Sequence, residues 1–148
     1  MTVLIVDDTA ILRSVLKDIL ADFCDIQRRN IHEAADGLQA LTEYRRIYPD
    51  IVFLDIAMPN LNGIDAVKRI KEIDSSARIV MCTSAGGQSV VKECMRAGAL
   101  DYLVKPLAPE RVVSSVKKVI AAIPLAFDRI DELNELDEAA ESDEQNQQ

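Results

Sequence analysis

Four short apolar runs, each followed directly by polar or charged side chains, constrain the fold of this chain more than any other feature of its sequence. The runs and the residues that follow them are 3–6 with Asp7 and Asp8, 51–54 with Asp55, 79–82 with Thr83, and 103–104 with Lys105. A short apolar run bounded by polar residues is typical of a buried parallel strand. Because open α/β folds place their ligands at the carboxyl edge of such strands, we expect these polar side chains to share one edge of a sheet.

Helical periodicity alternates with the apolar runs. Apolar residues recur at intervals of three and four in five segments, at 11–20, 38–47, 64–73, 90–95 and 112–120. Thr9 suits the N-cap of the first segment, and the Asn62-Gly63 pair indicates a turn before the third. Gly98 is expected to end the fourth segment, and Pro109 suits the first turn of the fifth.

Strands that alternate with helices predict right-handed βαβ units and a parallel sheet with helices on both faces. Residues 31–35 are the weakest strand candidate, because they are few and only partly apolar, which suits an edge of the sheet. The chain has 148 residues, of which 49% are hydrophobic, enough for one domain with a substantial core. We expect that domain to occupy residues 1–123.

The net charge of −8 comes from the C-terminal end of the chain. Residues 1–127 contain 16 basic and 16 acidic residues, whereas residues 128–148 contain one base, Arg129, and nine acids. A charge-neutral body does not favour nucleic-acid binding. We expect residues 124–148 to form an acidic tail that is disordered over 137–148. The preferred interpretation of 125–136 is a short helix resting on the body, and a partner-binding segment or linker is the alternative.

The composition also narrows the cellular setting. No apolar run is long enough to insert into a membrane, and no secretory signal is visible. Cys24, Cys82 and Cys94 are odd in number and lack CxxC spacing, which indicates reduced thiols in a cytoplasmic protein. His32 is the single histidine, which disfavours a histidine-based metal site or catalytic triad.

Three carboxylates, those of Asp7, Asp8 and Asp55, converge if the first and third strands are neighbours. Carboxylates at close range repel each other, and without partners their pKa values rise. A hard divalent cation removes this conflict, and Mg²⁺ is apt because it binds oxygen ligands and shares phosphate oxygens. Asp7 or Asp8 alone could instead cap a loop or helix, but the conjunction with Asp55 and Lys105 disfavours that alternative.

Phosphoryl chemistry explains the remaining polar residues at this edge. Mg²⁺ and the ammonium of Lys105 would stabilise the negative charge of a transferring phosphoryl group. The Thr83 hydroxyl could donate to a phosphoryl oxygen or simply cap its strand. Asp55 is the best candidate for a nucleophile toward phosphorus, since it follows the central and most apolar strand. The Lys105-Pro106 bond could be cis or trans, and the sequence leaves the choice open.

The joint spacing of these motifs resembles that of response-regulator receiver domains, the CheY-like family. The motifs that match are 6–8, Asp55 with the stretch 56–63, 83–85, 97–99, Tyr102 and 105–106. The resemblance covers residues 2 to 122 and implies a flavodoxin-like (βα)₅ fold with strand order 2-1-3-4-5. It also implies a cytoplasmic phosphorelay protein that is a monomer and has no catalytic turnover beyond its own phosphorylation and dephosphorylation.

The resemblance implies a role for each site residue. Asp55 would accept the phosphoryl group from a histidine kinase. Mg²⁺ would be held by Asp8 directly, by Asp7 mostly through water, by Asp55 and by the carbonyl of Ala57. Thr83 and Lys105 would hold the phosphoryl oxygens. Thr83 and Tyr102 would act as the switch, read out at a surface formed by the fourth helix, fifth strand and fifth helix.

Three positions depart from the commonest family pattern. Leu107 follows Lys-Pro where phenylalanine is frequent, which changes local packing modestly. Ala57 and Ala85 are small residues at positions that influence how water reaches the acyl phosphate. These two alanines leave the dephosphorylation rate open without affecting the capacity to be phosphorylated.

The leading hypothesis is a stand-alone phosphorylation switch whose output is protein binding. The stretch 64–113 is similar to chemotaxis regulators, which implies a target such as the flagellar motor switch. The alternatives are a regulator of another two-component pathway, a fragment of a longer regulator, and two other functional classes. An aspartyl-phosphate phosphatase of the dehalogenase type needs a second Asp where this chain has Ala57. A flavodoxin-like FMN binder needs a phosphate loop that Asp7 and Asp8 would repel.

Overall fold

The computed structural model describes residues 1–84 and 88–122. Strands and helices alternate along them, as the sequence predicts. The strands are β1 (Val3–Val6), β2 (Ile31–Ala34), β3 (Ile51–Asp55), β4 (Ile79–Thr83) and β5 (Asp101–Val104). The helices are α1 (Ala10–Phe23), α2 (Gly37–Ile47), α3 (Gly63–Ile73), α4 (Gln88–Ala97) and α5 (Pro109–Ala121), with a 3₁₀ turn at Arg28–Asn30 before β2.

The five strands form one parallel sheet in the order β2-β1-β3-β4-β5. This order confirms the flavodoxin-like fold that the resemblance implies. The weak second strand is an edge of the sheet, as predicted, and β5 is the other edge. β1 and β3 are neighbours, with Val6 beside Leu54, so Asp7 and Asp55 leave the sheet side by side.

Helices cover both faces of the sheet and create two apolar layers. In β1, Val3 and Ile5 pack with α1 and α5, whereas Leu4 and Val6 pack with α2, α3 and α4. Each buried aliphatic side chain of this size contributes about 1.5–3 kcal/mol through burial of its apolar surface. Because both faces of the central strands are covered, these strands appear in the sequence as unbroken apolar runs.

The N-cap predicted for α1 is confirmed in position, whereas the start of α3 differs from the sequence prediction. Thr9 occupies the N-cap position of α1, although its side chain makes no capping hydrogen bond. Asn62 and Gly63 do not form a separate turn before α3, because Asn62 is the N-cap and accepts a hydrogen bond from the Asp65 N–H, and Gly63 is the first helical residue. The difference at α3 arises because asparagine is favoured at turns and at helix N-caps alike.

Other predicted boundaries are confirmed. α4 ends at Ala97, directly before Gly98, whose φ of 126° suits glycine. Pro109 begins α5. The three cysteines, all in the described part of the chain, are free thiols, and Cys82 and Cys94 are buried. The acidic tail expected at 124–148 and the helix expected within it lie outside the described residues, as does Ala85.

Candidate functional site

The ends of β1 and β3 bring three acids to the carboxyl edge of the sheet. Asp7 is 5% exposed, and its Oδ1 accepts a hydrogen bond from the Thr9 N–H at 2.8 Å. The Asp7 N–H donates to the Ala34 carbonyl at 3.1 Å, which holds the start of the loop against β2. Asp8 is exposed. The pair therefore presents one fixed carboxylate and one open to solvent.

Asp55 is the last residue of β3 and is 7% exposed. Burial raises the pKa of its carboxyl, and the charge of Asp7 raises it further. Lys105 and the Ala57 N–H, which donates to this carboxylate, lower the pKa without offsetting the burial. The ionised form of Asp55 is consequently under-stabilised in the protein alone, so an additional cation would favour it.

Lys105 brings a positive charge to the carboxylates of Asp7 and Asp55. Its Nζ lies 2.9 Å from Asp7 Oδ2 and 3.4 Å from Asp55 Oδ1. Burial lowers the pKa of the ammonium, but the hydrogen bond to Asp7 and the two carboxylate charges outweigh it, so the pKa is raised. The Lys105 N–H donates to the Thr83 carbonyl at 2.8 Å, and the Lys105-Pro106 bond is cis.

Thr83 and Tyr102 lie on the neighbouring strands. Thr83 is the last residue of β4 and is 3% exposed. It follows Cys82, which is the register partner of Asp55. Tyr102 lies on β5 and is half-buried against the layer that contains α4. Its carbonyl accepts a hydrogen bond from Arg111 at 3.2 Å, so β5 is tied to α5 at this point.

The acids form a donor set that fits a hard cation. Asp7, Asp8 and Asp55 each offer one oxygen, and these oxygens lie within 4.8 Å of one another. Carboxylate and carbonyl oxygens are the ligands that Mg²⁺ prefers, and it keeps several waters besides. Asp8 is open to solvent and Ala57 is exposed beside Asp55, so such an ion could retain water on its outer side.

Sequence reasoning missed Arg13. Its NH1 donates to the Asp7 carbonyl at 2.6 Å, and its Nε donates to Glu33 at 3.1 Å. Arg13 therefore links the backbone at the acid pair to β2. The only signal in the sequence is a base one helical turn after Thr9, and that signal does not specify a carbonyl partner.

The loop between β3 and α3 carries a second unpredicted group. Asn60 has a φ of 70°, and its Nδ2 donates to Asp36 Oδ2 at 3.0 Å. Asp36 is the N-cap of α2.

Leu107, the departure from the family pattern, packs against the apolar layer of α1 and α5.

None of the helices formed by residues 1–84 and 88–122 combines the length and the apolar character that a membrane span requires.

Comparison with known proteins identifies the family to which this fold and this group of acids belong. Residues 3–117 match the family described as the response regulator receiver domain. The chain is 46% identical over 117 residues to the chemotaxis protein CheY of Thermotoga maritima, covering 79% of this chain and 95% of that protein. It is 43% identical over 122 residues to the CheY of Bacillus subtilis, covering 80% of this chain and 96% of that protein.

Solved structures of similar proteins have the same fold. The CheX–CheY–BeF₃–Mg²⁺ complex of Borrelia burgdorferi includes a chain that matches with a TM-score of 0.74 and 35% identity. The match covers 82% of this chain and 90% of that chain. The order of the strands, the acids at the ends of β1 and β3 and the lysine after β5 thus accompany a family match over most of the sequence, and the chain belongs to the response regulator receiver domain family.

Proposed function

We propose that this protein is a two-component response regulator of chemotaxis signalling that is phosphorylated on Asp55. The observation that carries the proposal is the Asp7–Lys105–Asp55 arrangement at the sheet edge, with the Lys105 ammonium 2.9 Å and 3.4 Å from the two carboxylates. A nearly buried acid beside a cation and two further acids is suited to binding a metal and a phosphoryl group together.

The chemical step is transfer from a phosphohistidine of a partner kinase. The phosphorus–nitrogen bond breaks while a bond forms between phosphorus and a carboxylate oxygen of Asp55. The imidazole leaves with the electron pair and takes up a proton. This role requires the ionised form of Asp55, which Lys105 and the Ala57 N–H favour through their charge and hydrogen bond.

The other site residues hold charge and orientation. Mg²⁺, when bound, neutralises phosphoryl oxygens, and Asp7, Asp8, Asp55 and the Ala57 carbonyl would hold it. Lys105 Nζ would contact a phosphoryl oxygen on Asp55, and its distance of 3.4 Å from that carboxylate supports this role. Thr83, the last residue of the adjacent strand β4, would supply a hydroxyl donor to another phosphoryl oxygen.

The switch is proposed to run from Thr83 to Tyr102. These residues lie on β4 and β5, and the register places Met81 beside Tyr102, two residues before Thr83. A new charge on Asp55 would bias a two-state arrangement of Thr83 and Tyr102. The surface of α4, β5 and α5 would then bind a protein target differently in the two states.

The relatives support the proposed pathway and partners. Two proteins that cover most of this chain at 46% and 43% identity are named chemotaxis protein CheY, which supports a chemotaxis role and a histidine kinase as the phosphoryl donor. The Borrelia relative was crystallised with a protein named CheX, which supports a signalling protein as the target. A flagellar motor switch and a monomeric state are the finer expectations that we retain.

The test is phosphorylation by acetyl phosphate with Mg²⁺, followed by intact-mass measurement. Wild type is expected to gain one phosphoryl group, and Asp55→Asn is expected to gain none. Asp22→Asn is the matched control, because it removes an exposed acid of α1. A wild type that gains no mass, or an Asp55→Asn variant that gains as much as wild type, would contradict the proposal.

A second measurement tests the output. Binding to the purified candidate target is compared with and without beryllofluoride and Mg²⁺. The proposal predicts an affinity that changes when the mimic is added and a smaller change in Asp55→Asn. Equal affinities in both states for wild type would rule out that target as the output.

A further inference from the structure

The loop of residues 56–62 is fixed at two points. At its base, the Gly63 N–H donates to the Ile56 carbonyl at 2.7 Å, so the two ends of the loop meet. At its tip, Asn60 adopts a φ of 70° and donates from Nδ2 to Asp36 Oδ2 at 3.0 Å. Ala57, whose N–H bonds the Asp55 carboxylate, lies between these two points.

Asp36 uses its two carboxylate oxygens for different elements. Oδ1 accepts the Gln39 N–H at 2.8 Å and caps α2, whereas Oδ2 accepts the Asn60 amide. The pKa of Asp36 is lowered, first by the bond from Gln39 and also by the bond from Asn60, because both donors favour the ionised form. One side chain thus joins the start of α2 to the tip of the loop.

Steric contact reinforces this junction. A Cβ added at Gly37, the first residue of α2, would overlap the Leu61 carbonyl and lie 2.7 Å from the Leu61 Cβ. The backbones of α2 and the loop therefore approach more closely than any other residue type at position 37 would permit. Movement at the start of α2 would be transmitted to residues 60 and 61.

We propose that Asp36 and Asn60 are positioning residues that set the Ala57 backbone beside Asp55 and thereby tune Mg²⁺ binding. The inference rests on the proposed function, since it assigns the Ala57 carbonyl to the metal. Outer partners that orient metal ligands commonly affect affinity, and here the partner acts through the loop backbone instead of a side-chain ligand. The competing explanation is that the hydrogen bond stabilises the fold alone.

Three variants separate these explanations. In Asn60→Gly, the glycine can keep the left-handed backbone at position 60, and the hydrogen bond to Asp36 is lost. The exchange Asp36→Asn with Asn60→Asp keeps the net charge, keeps a good N-cap and restores an amide–carboxylate bond with the donor on the other side. Gln39→Ala is the control, because it removes the side chain that accepts the Ala35 N–H at 2.9 Å at the same helix start without touching the loop.

Mg²⁺ is titrated into each full-length variant and followed by backbone amide chemical shifts, with thermal unfolding measured in parallel. Asn60→Gly is expected to bind Mg²⁺ about fivefold more weakly, which is the size of effect that loss of one exposed hydrogen bond implies. The exchange variant is expected to return to within about twofold of wild type. Gln39→Ala should lower the melting temperature and leave the Mg²⁺ affinity unchanged.

The outcomes are distinct. Equal Mg²⁺ affinity in wild type and Asn60→Gly would overturn the positioning role while leaving the proposed function intact. Equal weakening in Asn60→Gly and Gln39→Ala would also overturn it, because the effect would then be general loss of stability. A wild type that binds no Mg²⁺ would overturn the metal site itself, and the inference with it.

Discussion

Replacing Gly63 with alanine is predicted to destabilise the protein, although glycine is a poor helix former. Gly63 begins α3 and packs directly against the end of β3. A Cβ at this position would overlap the Asp55 carbonyl oxygen and lie 2.7 Å from the Ile56 Cα. Both neighbours are backbone atoms, so neither can rotate away. The new methyl group can be accommodated only if α3 or the end of β3 shifts.

Two opposing terms determine the size of the effect. The higher helix propensity of alanine contributes at most about 1 kcal/mol in favour of the variant. Forcing a methyl group into a packed site typically costs about 1–3 kcal/mol, and more when backbone must move. Because the contact here is with backbone on both sides, we expect a net loss of about 2 kcal/mol. For a chain of this size, that corresponds to a melting temperature lower by roughly 4–8 °C.

The assay is urea unfolding followed by far-ultraviolet circular dichroism, which suits a chain with no tryptophan. Ser14→Ala is the matched control, since Ser14 is exposed within α1 and the change gains a few tenths of a kcal/mol at most, about 0.5 by helix propensity. A Gly63→Ala protein as stable as wild type, or more stable, would refute the close approach of α3 to Asp55.

Three further predictions concern titration and burial. Burial raises the pKa of Asp55 in the folded protein, so folding favours the protonated carboxyl. The stability that this carboxyl contributes is therefore fully present below the ordinary pKa of an aspartate, and it is lost as the pH rises through the raised pKa of the folded state. In metal-free buffer, Asp55→Asn should therefore unfold at higher urea concentration than wild type at pH 7, and the difference should shrink toward acid pH; a less stable variant at pH 7 would contradict this. The Tyr44 hydroxyl donates a hydrogen bond to Asp74 Oδ2 at 2.7 Å, and this bond is the largest cause of the lowered pKa of Asp74. Tyr44→Phe should therefore lower the free energy of unfolding by about 1 kcal/mol at neutral pH. That cost should disappear as the pH falls through the lowered pKa of Asp74, and a cost independent of pH would exclude the carboxylate as its source. Burial raises the pKa of Cys82 to about 12 and that of Cys94 to about 11. A maleimide at neutral pH should therefore label Cys24 first, and peptide mapping of the labelled protein checks the order. Labelling of Cys82 before Cys24 would contradict the burial of Cys82.

The strand ends were predictable because their signal is local. Each central strand is covered on both faces and appears as an unbroken apolar run, and the first polar residue after it must lie at the sheet edge. This reasoning placed Asp7, Asp55, Thr83 and Lys105 together. The order of the strands is not local, and it came from the resemblance to receiver domains.

The tethers around the site could not be predicted because they join segments far apart in the sequence. Asn60 meets Asp36 across 24 residues, and nothing in either segment specifies the other. Arg13 bonds a backbone carbonyl, a partner that leaves no mark on the sequence. The need for glycine at position 63 could not be predicted either, because it comes from the close approach of Gly63 to the Asp55 carbonyl.

Locating the phosphoryl group chemically tests the central claim most directly. The protein is treated with acetyl phosphate and Mg²⁺, reduced with borohydride, which converts an acyl phosphate of aspartate to homoserine, and digested for peptide mass mapping. The account predicts homoserine at position 55 and unmodified aspartate at positions 7 and 8. Homoserine at position 7 or 8, or unmodified Asp55 in protein that has gained a phosphoryl group, would contradict it.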